Sequence, residues 1–115
     1  MTPQRAKEFV RFKREVERML NLLGLQGWRV VVLCEKIDGA YGDCSASLSG
    51  RIATIRYNSD PDTVATPEDP ERVARHEVLE LFFARIEVLA QSRYVTAPEI
   101  EEEKHALIRT LEKIL

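Results

Sequence analysis

His76, Glu77 and Glu80 are the residues of this chain whose types and spacing suit chemistry. They fall within Arg75-His76-Glu77-Val78-Leu79-Glu80-Leu81-Phe82-Phe83-Ala84-Arg85. On a helix, His76 and Glu80 stack one turn apart, so an imidazole and a carboxylate can meet one cation from the same side. Glu77 would then stand where it can take a proton from a water bound to that cation. The same residues have a plainer reading. A half-buried His76 can hydrogen-bond Glu80 across the turn while Glu77 faces water, with no metal involved.

The element that must carry these groups is a helix from about Pro70 to Ala90, since apolar residues recur there without Gly or Pro to break them. At 3.6 residues per turn, Val78, Leu79, Phe82, Phe83, Ile86, Leu89 and Ala90 form a wide apolar arc, and Leu81, Ala84 and Val88 a narrower one. His76, Glu80 and Glu87 run between them, with Phe83 at the edge. A helix apolar on both flanks is expected to be mostly buried, so that polar seam needs partners, protons or a metal. Thr96-Ala97-Pro98-Glu99 is a capping box that opens a last helix, with Ile100, Leu107, Leu111 and Ile114 facing inward. Lys104 falls near the centre of that face and calls for an acidic partner; His105 sits on its flank.

Before the motif helix come a helix and a small sheet. Thr2-Pro3 starts the first helix, Phe9, Phe12, Val16, Met19, Leu20 and Leu23 line it, and Gly24 stops it. Its many Arg and Lys residues, balanced in part by Glu8, Glu15 and Glu17, are those of a solvated face with ion pairs one turn apart. Residues 28–34 are β-branched and apolar, and 43–48 alternate small and polar residues. Residues 51–57 place Ile52, Thr54 and Arg56 on one face and Ala53, Ile55 and Tyr57 on the other. With Ser49-Gly50 as a two-residue hairpin turn, these three predict an antiparallel meander. Residues 58–69 read as a polar loop. Trp28 reads as a residue covering the sheet, and Tyr94 as one packed at the turn between the last two helices.

At 115 residues the chain is a single α+β domain over 1–115, large enough for one core without disulfides. A net charge of −2 gives no argument for nucleic acid or an anionic membrane as partner. No apolar run is long enough to span a bilayer, and the first apolar stretch is interrupted by Arg and Lys, unlike a signal peptide. Cys34 and Cys44 fall on segments read as neighbouring strands. They lack the C-x-x-C spacing of a zinc site and are expected to be reduced thiols in a cytoplasmic protein.

His76-Glu77-x-x-Glu80 resembles the zincin helix H-E-x-x-H with its last position changed. The order of helix, three strands, motif helix and closing helix is similar to that of minimal zincin-like metallopeptidases, including small phage and prophage proteins. Over Ala74 to Glu112 the chain is most similar to one such phage group. The resemblance implies a Zn²⁺-dependent peptidase that binds an extended peptide or protein segment along the edge strand. Carried onto this chain, His76 and Glu80 are metal ligands and Glu77 is the general base. His105 is the candidate third ligand, with Glu103 next. If the last two helices turn back tightly around residues 91–96, position 104 lies opposite about Phe83, roughly 10 Å along the axis from His76. A looser connection or an oblique crossing brings His105 into range. Arg56, Tyr57 or an unligated His105 would stabilise the oxyanion. The resemblance also admits a catalytically inactive scaffold that serves as an interaction module, in which Lys104 pairs with Glu80 or Glu87 in place of a metal.

Overall fold

The computed structural model describes residues 2–60 and 68–115. The elements are α1 (Pro3–Leu22), β1 (Arg29–Glu35), β2 (Gly42–Ser47), β3 (Ile52–Asn58), α2 (Pro70–Gln91) and α3 (Ala97–Glu112). Among the described residues, no helix is long and apolar enough to cross a membrane. Of the loop expected over 58–69, residues 61–67 lie outside the described residues.

α1 begins and ends as its sequence dictates. The Thr2 hydroxyl accepts from the Arg5 amide at 3.2 Å, and Gly24 takes the left-handed conformation, φ 69°, just past the last turn. Phe12, Val16, Met19 and Leu23 are buried, one turn after another. They meet Ile55 and Tyr57 of β3 and Val73, Ala74 and Val78 of α2 in one core. Phe12 and Tyr57 are in ring contact, centroids 4.8 Å apart. The basic face of α1 is only partly a solvated one. Arg5–Glu8 and Glu15–Arg18 pair along it, but Arg11 reaches Glu71 and Glu15 reaches Arg75 across to α2.

The sheet is mixed, not an antiparallel meander. Its order is β1-β3-β2, with β1 parallel to β3 and β2 antiparallel to it. The reason lies in the strands themselves. A meander would centre Gly-Asp-Cys-Ser-Ala-Ser, a strand with too little apolar surface to bury. β3 instead takes the centre, with Ala53, Ile55 and Tyr57 at most 1% exposed on the helix side, and with the expected alternation intact. Cys34 and Cys44 are therefore separated by β3, and both are free. The chain crosses from β1 to β2 through residues 36–41, held by one side chain. Asn58, fully buried, donates to the Ile37 and Ala40 carbonyls (both 2.7 Å) and accepts from the Ile37 and Asp60 amides (3.1 and 2.9 Å). The β2–β3 turn is also longer than expected. It spans Leu48–Arg51, and Arg51, not the neighbouring glycine, holds the positive φ of 50°.

On α2 the buried stripe is Pro70, Val73, Ala74, Glu77, Val78, Leu81 and Phe82. Leu79, Phe83 and Val88, expected inside, are exposed, and so are His76, Glu80 and Glu87. A helix apolar on nearly every side does not specify which side turns inward; α1 and the sheet decide it. α3 opens with the expected capping box, Thr96 and Glu99 each accepting from the other's backbone amide. Its inward residues include Glu103 and Leu107, so Lys104 does not face inward. Lys104 is exposed and pairs with Glu101 on its own helix at 3.2 Å, not with Glu80 or Glu87. Trp28 is half-buried at the rim of a cavity of about 250 Å³ between α2, α3 and the β2–β3 turn. Tyr94 is solvent-exposed rather than packed at the turn.

Candidate functional site

The site is built where the first half of α2 lies against β2. Gly42 makes the close approach possible: a Cβ there would stand 2.8 Å from Val73 Cγ1 and 2.9 Å from the Arg56 carbonyl oxygen. It would also stand 3.4 Å from Glu77 Cγ, so the Glu77 stem packs directly on the strand. That contact turns Glu77 inward. It is 7% exposed as a residue, but among the described residues no buried side-chain oxygen lacks a hydrogen-bond partner, so its carboxyl oxygens open onto the cleft beside it. Desolvation pushes its carboxyl up to about 7, with Glu80, Asp43 and Glu68 adding to the rise and His76 opposing it. At neutral pH Glu77 therefore stands at the midpoint between acid and base, the reverse of a surface carboxylate.

His76 and Glu80 come together as their spacing requires, His76 Nε2 lying 3.4 Å from Glu80 Oε1. Their side chains are 69% and 53% exposed, so they form an open pair on the outside of α2. Three small clefts follow one another beside them. The first, about 310 Å³, is lined by residues 39–42 together with Glu68, Val73, His76 and Glu77. The second shares His76 with it and adds Leu79, Glu80 and Phe83. The third, about 220 Å³, shares Glu80 and continues between Cys44 and Ala46 of β2 and Glu87 of α2. Burial pushes the Cys44 thiol up to about 11, helped by Glu77, Glu80 and Asp43, so Cys44 is a neutral wall rather than a nucleophile.

The other expected site residues lie elsewhere. His105 Nε2 is 3.0 Å from Glu101 Oε1, one turn back on the exposed side of α3. Glu103 Oε2 is 2.8 Å from Arg85 Nε. This contact sets the register of the α2–α3 hairpin, and by it the position opposite His76 is near 112. His105 is about 10 Å short of that level along the axis. Arg56 is on the far face of the sheet, clamped between Asp43 and Glu35. The Tyr57 hydroxyl points to Glu8 of α1 at 3.3 Å. A zinc ion held by protein side chains needs three donors. The structure brings two of those named to one place, and among the described residues no group of three or more His, Cys, Asp or Glu converges. That donor set does not fit zinc.

Two positions that matter here carry little signal in the sequence. Gly42 falls between the first two expected strands and Asn58 reads as the start of a polar loop. Only the packing of β2 on α2 and the crossing at 36–41 give them their roles.

β2 has one more feature. The Asn58 amide donates to the Tyr41 carbonyl at 2.7 Å, which sets the parity of the β2–β3 ladder. Asp43, Ser45 and Ser47 then turn their backbone groups toward β3, while Gly42, Cys44 and Ala46 turn theirs outward. Among the described residues no strand pairs with that outer edge. Compared with protein-family models, curated proteins and solved structures, the chain matches none of them.

Proposed function

We propose that this chain is a zincin-like scaffold that binds an extended peptide or protein segment by strand addition at the outer edge of β2. The observation that carries this reading is the row of outward backbone groups at Gly42, Cys44 and Ala46, running beside the clefts along α2. An added strand would take its affinity from these amides and carbonyls and its specificity from alternate side chains laid over α2. Glu77 and the His76–Glu80 pair then serve as part of the binding wall.

The edge can be tested by removing one donor. Ala46→Pro deletes an outward-facing N–H and leaves the bonds to β3 intact, a substitution edge strands accept. Binding of a heptapeptide library should be lost in this variant while its circular dichroism and unfolding midpoint stay close to wild type. Unchanged binding by the folded variant would refute strand addition at β2.

The hydrolytic reading rests on the juxtaposition of Glu77, at the midpoint of its titration, with His76 and Glu80. It requires a third metal donor beyond those the described residues bring together. Stoichiometric Zn²⁺ retained after dialysis, lost in His76→Ala, together with peptide cleavage lost in Glu77→Gln, would establish it. Protein that retains no zinc and cleaves no peptide would exclude it.

A further inference from the structure

We infer that the segment received by β2 carries Lys or Arg at the alternate positions that face α2, where Glu80 and Glu87 meet them. The inference rests on strand addition at this edge and names the class of sequence it selects. Three observations carry it.

The first is charge. The clefts beside the edge hold Glu68, Glu77, Glu80 and Glu87, and no Lys or Arg lines any of them. Glu87 pairs with no cation among the described residues, and Glu80 meets only His76. Glu71 and Glu101 have Arg or Lys partners, whereas these four carboxylates share three adjoining clefts with no such cation beside them.

The second is Glu77. It is more than nine-tenths buried, has no partner among the described residues, and forms part of the wall of the first cleft. Its carboxyl oxygens open onto that cleft, where a cation or a hydrogen-bond donor from a bound segment would take the place of water.

The third is shape. Phe83 and Val88 are exposed beside Glu80 and Glu87, and Ala46 and Ala84 leave the third cleft open. An apolar wall ending in a carboxylate suits a long stem with a charged head, and an aromatic face adds attraction for the cation. Glu80 and Glu87 are two helical turns apart, about 10 Å. Side chains two positions apart on a strand are separated by about 7 Å, and Lys or Arg stems span the difference.

The test uses the full chain and fluorescein-labelled heptapeptides alternating Val with Lys, Gln or Glu, read by fluorescence anisotropy. The Lys peptide should bind about tenfold tighter than the Gln peptide, and the Glu peptide more weakly still. Raising the salt concentration should narrow the gap. Glu87 is a surface position, so Glu87→Gln should fold and lose most of the preference, and Glu87→Lys should turn it toward the Glu peptide. Equal binding of Lys and Gln peptides, with both lost in Ala46→Pro, would overturn the charge selection and leave strand addition standing. If none of the three peptides binds, both fall.

Discussion

Replacing Glu77 by glutamine keeps the shape of the side chain and removes its charge, so the change in stability must depend on pH. In the unfolded chain this carboxyl titrates near 4.5, and in the folded protein near 7. As pH rises the unfolded chain releases the proton first. Between about pH 4.5 and about pH 7 the folded state therefore holds more protons, and rising pH destabilises it; above that window the effect is complete. At about 1.4 kcal/mol for each tenfold change in proton affinity, the full penalty is about 3 kcal/mol. Glu77→Gln escapes it. The variant should match wild type within about 1 kcal/mol near pH 4.5 and be about 2–3 kcal/mol more stable near pH 8. Urea unfolding of both proteins across this range gives the difference directly. Glu15 and Glu71, whose carboxyls hydrogen bonds from Arg18 and Arg11 hold low, add stability above their unfolded range and lose it in acid. They are common to both proteins and cancel. A difference that does not change with pH would refute the buried, ionisable state assigned to Glu77.

Two further outcomes are expected. Asn58→Ala leaves the Ile37 amide and the Ile37 and Ala40 carbonyls without their partner, and should cost about 3 kcal/mol or more in urea unfolding; a loss under about 1 kcal/mol would mean that the crossing at 36–41 is held otherwise. Arg51→Gly relieves a positive φ at a residue with a side chain and should raise stability by about 1 kcal/mol, seen as a higher Tm; a lower Tm would show that the Arg51 side chain contributes more than its backbone costs.

Much of the architecture could be read from local pattern. The Thr2-Pro3 start, the Gly24 stop and the Thr96–Glu99 capping box are set by groups within a few residues of one another, and the structure has each of them. The alternation of β3 is legible for the same reason, since one face of that strand is apolar and the other is not. The pairing of His76 with Glu80 follows from helix geometry alone.

What local pattern does not contain is which surfaces meet. The three strands could be recognised one by one, but their order depends on which can be buried in the middle, a comparison made only when all three are present. The azimuth of α2 is a similar case. Its apolar residues spread around the helix, so contact with α1 and with Gly42 selects the Glu77 side for burial and leaves His76 and Glu80 in water. That choice reverses the roles that the plainer sequence reading gives to Glu77 and the His76–Glu80 pair. Lys104 and His105 were likewise out of reach of the sequence, because α3 packs through Glu103 and Leu107 and leaves both on its outer side beside Glu101. Residue types and spacing along the chain determined which groups could act as donors, bases and caps. Only tertiary packing decided which were desolvated, and desolvation separates a carboxyl that titrates near neutrality from one that stays ionised.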